Sequence, residues 1–282
     1  MTIAPSVEWT LSGFGDEIDD DPVVQIAVLQ ALGANYIEVR SAWGTNIVDL
    51  DGDRLTRLKA LLDSAGMKVS AIASPVGKVD VSLPVEHEVG RLRRAVNAAK
   101  VLDTRYIRIF SFFYGEGATV EGIRGAVMER MRALAAVAEE SAVVLLHENE
   151  KEIFGDTPDR VLDIVETVAS PSLKVAWDAA NFVQVGVKPF DEAYPKLRPH
   201  LEYLQVKDAR FADGVVVPSG EGDGDLIRTI EALKADGYSG FASLEPHLTG
   251  ANGLGGYSGP TAFGVAARAF AKVVSAAGVE TK

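Results

Sequence analysis

The feature that most constrains the fold is a repeat of eight apolar runs, each followed by a polar break and a longer segment with helical spacing. The runs begin at Trp9, Tyr36, Met67, Tyr106, Val143, Lys174, Leu201 and Phe241. Each is too short for a helix and rich in β-branched or aromatic residues, so each is expected to be a strand. Between them, spacing, prolines at first-turn positions (Pro22, Pro158) and glycine stops (Gly33, Gly66) predict helices over 22–32, 53–65, 85–101, 120–140, 158–169, 190–197, 226–235 and 260–277. Strands apolar on both faces, alternating eight times with helices, predict an α/β fold: a closed (β/α)8 TIM barrel rather than an open doubly wound sheet. No linker or low-complexity stretch divides the chain, and 282 residues suit a single barrel domain over 1–282.

Composition removes several function classes. There is no cysteine, hence no disulfide, thiolate metal site or cysteine nucleophile. A net charge of −12 repels phosphate backbones, and no basic patch offsets it, so no nucleic-acid partner is expected. The first residues show no secretory pattern and no window is apolar enough to span a membrane, so no membrane association and a cytoplasmic location are expected. Gly13-Phe14-Gly15 lacks the third glycine of a dinucleotide fingerprint. The acidic run 16–21 is read as a solvated helix start.

Chemistry gathers where the last four apolar runs end. Glu148 closes the fifth, Asp178 the sixth, Gln205 the seventh and Glu245 the eighth, at spacings of 30, 27 and 40 residues. In a parallel barrel all strand C-termini open on one face, so these four side chains converge. Three carboxylates brought together repel, and a cation resolves the repulsion. All-oxygen donors suit a hard divalent ion, Mn²⁺ or Mg²⁺. Lys207, two residues beyond Gln205 on the same strand face, can point at substrate or brace Asp178. His247 stands in the same relation to Glu245, whereas His147 points away from Glu148. Lys78 and Arg108 are weaker candidates for substrate binding, Trp43, Phe112 and Trp177 are candidate apolar walls, with core packing the stronger reading of Trp177. The glycine-rich stretch 249–259 is a loop with a candidate lid or subunit-contact role.

The pieces H-E-N at 147–149, W-D-A-A-N at 177–181, Q-V-K-D at 205–208 and L-E-P-H at 244–247, with G-F-G-D-E-I near the start and S-P-V-G-K at 74–78, resemble the xylose isomerase-like barrels. Within them the likeness is to the sugar phosphate isomerase/epimerase group, which includes ketose 3-epimerases and inosose dehydratase. The resemblance implies a divalent-metal-dependent isomerase or epimerase acting on a sugar, keto-sugar or sugar phosphate through an enediolate. It implies metal ligands Glu148, Asp178, Gln205 and Glu245, and catalytic Glu148, Glu245, Lys207 and His247. It also implies a small sugar or polyol substrate and, in some relatives, dimers or tetramers. One departure stands out: the family usually has His where this chain has Gln205, a weaker neutral donor. The nearest alternative is a lyase on a 3-keto sugar, keto-glycoside or inosose, which begins with the same proton abstraction. A non-catalytic sugar- or partner-binding barrel is a second alternative. A metal-dependent AP endonuclease would need more than His87, His147, His200 and His247, and a basic groove. A phosphate loop is not evident, Ser219-Gly220-Glu221-Gly222 being weakened for that role by its own acid.

Overall fold

A computed structural model describes residues 7–115, 117–252 and 255–282. Eight parallel strands form the barrel wall: β1 (Val7–Gly13), β2 (Tyr36–Val39), β3 (Lys68–Ala73), β4 (Tyr106–Ile109), β5 (Val144–Glu148), β6 (Leu173–Asp178), β7 (Leu201–Val206) and β8 (Phe241–Leu244). Each pairs in parallel with its sequence neighbour from β2 to β8, and β8 pairs with β1. A single parallel bridge, Phe14 to Glu38, joins β1 to β2 and closes the ring. The expected TIM barrel is therefore the observed one. A ninth strand, Val279–Thr281, adds to β1 from outside and was not anticipated. The first six residues, read above for a leader, lie outside the described residues, as do Gly253 and Leu254 of the glycine-rich stretch.

The helices are α1 (Pro22–Ala31), α2 (Gly52–Ala65), α3 (Val85–Val101), α4 (Val120–Ser141), α5 (Pro158–Val168), α6 (Ala179–Gln184), α7 (Tyr194–Leu197), α8 (Leu226–Ala235) and α9 (Gly259–Ala276). Local chemistry explains their ends. Asp21 caps α1 by accepting from Val23 N, Asp51 caps α2, and Gly66 ends α2 in the left-handed conformation. The expected helix over 190–197 is instead a π-type turn at Pro189–Ala193 followed by the single turn α7. Pro195 explains the break, because it supplies no N–H to an α-helical ladder. The short α6, also unanticipated, begins directly where β6 ends, and the Asp178 side chain caps it. Among the described residues no helix is long and apolar enough to cross a membrane.

Most of the core lies between strands and helices, around Trp9, Leu29, Phe263 and Phe270. The barrel interior is layered. Its N-terminal end is aromatic: Tyr36, Tyr106 and Tyr203 pack around Phe241 with ring centroids 5.0–6.2 Å apart, and a cavity of about 590 Å³ opens there. Above lies a polar belt in which the Tyr203 hydroxyl contacts Glu38 Oε2 at 2.8 Å and Ser70 Oγ at 2.9 Å. The alternation of strand residues then places Gln205 one step above Tyr203, and Lys207 above that.

Candidate functional site

The four strand ends converge as their periodicity implies. Asp178 on β6 stands in register with Gln205 on β7, and Gln205 with Ser243 on β8, two residues before Glu245. Carboxylate oxygens of Glu148, Asp178 and Glu245 lie within 4.8 Å of one another, and all three side chains are buried. Two asparagines fix this geometry. Asn149 ties the end of β5 to β6 by accepting from Asp178 N at 3.1 Å and donating to Asp178 O at 2.9 Å. Asn181, in the first turn of α6, donates from its backbone N to Asp178 Oδ1 (2.9 Å) and from Nδ2 to Glu148 Oε1 (3.1 Å). The motifs H-E-N and W-D-A-A-N are thus one interlocked unit. What it leaves over is informative: both amide atoms of Gln205 are buried without a hydrogen-bond partner, and Asp178 Oδ2 faces only the Lys207 ammonium. Buried polar atoms are rarely left so, and an orphaned amide oxygen beside clustered carboxylates fits a hard divalent cation.

The chain's own cations ring the cluster. Lys207 Nζ stands 2.7 Å from Asp178 Oδ2 and 3.3 Å from Glu245 Oε2. It braces Asp178, one of the two roles its position allowed. Arg108 reaches across the mouth from β4, with Nη1 3.0 Å from Glu148 Oε2 and 3.5 Å from Glu245 Oε1. Arg40, at the end of β2, holds Asp16 at 2.8 Å and Glu245 Oε1 at 3.4 Å. His247 Nε2 lies 3.3 Å from Glu245 Oε1 and 3.1 Å from Glu17 Oε1. Titration is displaced accordingly. Burial pushes Asp178 up to about 7. Burial also raises Glu148, against the pull of Arg108. At Glu245 burial acts in the same direction but is outweighed by Lys207, His247 and Arg108, which hold the carboxyl well below the usual range. His247 is raised to about 9, because Glu245 and Glu17 overcome burial and the nearby Lys207.

Residues 26–265 match the family model described as xylose isomerase-like TIM barrel. The chain belongs to this family. It is 27% identical over 240 residues to the 2-epi-5-epi-valiolone 7-phosphate 2-epimerase of an Actinoplanes species, covering 80% of each chain. It is 22% identical over 188 residues to the 3-dehydroshikimate dehydratase of Bacillus anthracis, covering 66% of this chain and 67% of that enzyme. A xylose isomerase-like TIM barrel protein from Mycobacterium smegmatis, solved in complex with magnesium, superposes with a TM-score of 0.71 at 16% identity over 96% of both chains. The two relatives are thus an epimerase and a dehydratase.

Within the family frame, three site residues escaped sequence reasoning. Asp16 and Glu17 were read as solvated, yet both are buried. Glu17 Oε2 accepts from His247 N and from Ser258 Oγ, each at 2.9 Å. Arg40 also donates to Gly256 O at 2.7 Å, fastening a hairpin, Gly250–Asn252 with Gly255–Tyr257, over the mouth. That hairpin is what the glycine-rich stretch becomes. Gly256 is required because a Cβ there would meet the His247 ring at 1.7 Å. The remaining candidates divide. Lys78 pairs with Glu150 at 2.9 Å and covers the Phe110 ring. Trp177 is core, packed on Phe182 and Tyr194. Phe112 is buried and Trp43 lies under Arg57. His147 points out of the barrel, buried against Gly155, and burial pushes it down to about 3.

Proposed function

We propose that the protein is a divalent-metal-dependent sugar epimerase that moves a proton at the carbon beside a carbonyl. Glu148, Asp178 and Glu245 would hold the cation, with Gln205 Oε1 as a fourth donor. The observation that carries this reading is the Gln205 amide, buried with neither atom partnered, beside three converging buried carboxylates. A cation bound there supplies Lewis acidity, polarising a substrate carbonyl and offsetting the charge that develops on it. Mn²⁺ or Mg²⁺ suits the oxygen donors.

The chain's residues do the rest. Glu148 from β5 and Glu245 from β8 remove and return the proton on opposite faces of the carbon, a contribution of roughly 10²–10⁴-fold for general acid–base catalysis. Lys207 keeps Asp178 and Glu245 oriented. His247, partly exposed at the rim beside Glu245, binds a substrate hydroxyl. Elimination of water from the same deprotonated substrate is the second reading, supported by the dehydratase relative; only the fate of the enediolate separates the two. Elemental analysis of the purified protein, with Glu148→Gln alongside, tests the proposal. About one equivalent of Mn or Mg, lost in the variant together with turnover of keto-sugars, is expected. A variant with full activity, or a wild-type protein that takes up no added Mn²⁺, overturns it.

A further inference from the structure

We infer that Ser243 and Glu38, in the layer beneath the centre, decide which end of the Gln205 amide meets the bound cation. This rests on the metal reading above and adds two positioning residues to it. A terminal amide carries an acceptor on one side and donors on the other in nearly the same shape, so a glutamine ligand has to be held the right way round. Gln205 is in register with Ser243 of β8, the inward residue two positions before Glu245. Glu38 reaches the same layer from β2, where its Oε2 meets the hydroxyl of Tyr203, the inward residue two positions before Gln205. The Ser243 hydroxyl bears on both the Glu38 carboxyl and the Tyr203 hydroxyl.

Gln205 Nε2, Ser243 Oγ and Glu38 Oε1 all lack an aligned hydrogen bond, and all three residues are fully buried. Their chemistries are complementary and run in one direction. An ionised carboxylate only accepts, so the Ser243 hydroxyl gives its proton to Glu38 and turns a lone pair toward Gln205. The amide answers with Nε2, which leaves Oε1 facing Glu148, Asp178 and Glu245. Arg108 attracts Glu38 and favours its ionised form against burial. In the metal-free chain the carboxylates above also attract the amide N–H. A divalent ion among them repels the N–H and draws the oxygen, and the layer below then supplies the acceptor that the N–H needs. Lys207 and Arg108, the cations nearest the centre, cannot supply it, because both are donors alone.

Calorimetric titration of Mn²⁺ into the metal-free protein at pH 8 tests this, with thermal unfolding of each variant alongside. Ser243→Ala should weaken Mn²⁺ binding about tenfold, the scale on which groups that orient a metal ligand act. Ser243→Thr, which keeps the hydroxyl, should restore most of it. The decisive readout is a double-mutant cycle, since a merely structural role for Ser243 would cost the same whatever stands at 205. In a Gln205→Ala protein the amide is gone, and Ser243→Ala should then cost less than about twofold. Glu38→Gln puts a group that can turn a donor upward in place of the carboxylate, so it should cost a similar factor in the wild type and less in the Gln205→Ala protein. Mn²⁺ affinity unmoved by Ser243→Ala, or a loss of the same size in both backgrounds, overturns the inference and leaves the carboxylate centre standing. Failure of the wild-type protein to take up metal overturns both.

Discussion

Asp178 and Asp208 are buried carboxylates at the ends of neighbouring strands, and the chain treats them in opposite ways. Asp208, just beyond β7, accepts four backbone N–H groups: Gly220 at 2.8 Å and Gly222 at 3.1 Å on Oδ2, Gly224 and Ala209 at 2.9 Å each on Oδ1. Gly222 is needed for that approach, since a Cβ would fall 2.5 Å from the backbone oxygen of Ala209. Burial still raises Asp208, but the amides pull it back. Asp178 has one backbone N–H on Oδ1, and its Oδ2 meets only the Lys207 ammonium, at 2.7 Å. A carboxylate saturated by its own loop is part of the scaffold. One held by a single amide and a side-chain cation, among other carboxylates, can exchange that cation for a bound ion. The same contrast disposes of the weak phosphate-loop candidate at 219–222, whose amides already serve Asp208.

The largest effect should follow from Asp178→Asn. Asparagine still caps α6 but gives up the buried ion pair with Lys207, which keeps Glu245, so stability should fall by about 1–3 kcal/mol, while metal affinity falls on the order of 10³-fold, about 4 kcal/mol. Calorimetric metal titration beside thermal unfolding checks both; an unchanged metal affinity would mean that Asp178 is scaffold after all. Asp208→Ala should act on stability alone. Amides that lose their acceptor inside a folded loop should lower stability by about 3 kcal/mol in urea unfolding, with metal affinity nearly unchanged.

Glu38 is the intermediate case, with Oε2 contacted by the Tyr203 hydroxyl and Oε1 unpartnered. Burial raises it from 4.5 to about 7, against the attraction of Arg108. A carboxyl whose folded pKa is raised contributes stability below its unfolded pKa and loses that contribution as pH rises through the folded value. Wild-type stability should therefore decline from about pH 4.5 to about pH 7 relative to Glu38→Gln, by about 2–3 kcal/mol in total. Parallel urea curves for the two proteins across that range would show it. Parallel pH dependence would mean that an unsaturated oxygen here does not register in the titration.

The barrel and its four converging strand ends were legible because both depend on short-range periodicity. Glu148, Asp178, Gln205 and Glu245 each follow an apolar run, and parallel topology does the rest. Asp16, Glu17 and Arg40 were hidden because their roles depend on contacts between β1, β2 and the segment after β8, more than 200 positions away in sequence. An acidic run before a helix looks the same whether water or His247 receives it. The saturation of Asp208 was equally invisible, since nothing in S-G-E-G-D-G says where its amides point. The site is thus readable in its ligand-type residues and unreadable in the residues that position them.

Gln205 gives the smallest effect and the sharpest form of the comparison. Its side chain is fully buried, in register with Asp178, and neither amide atom has a hydrogen-bond partner. Replacing it with histidine removes no hydrogen bond and keeps a neutral donor of similar reach, so stability should change by less than about 1 kcal/mol. Imidazole is the better ligand for the later transition metals, so Gln205→His should bind Zn²⁺ about tenfold more tightly, and Mn²⁺ and Mg²⁺ little or no better. Titration of the three ions against both proteins reads this directly. If all three affinities stay where they were, the amide lies outside the ligand set, and an unpartnered buried group in this barrel no longer marks a position that a ligand fills.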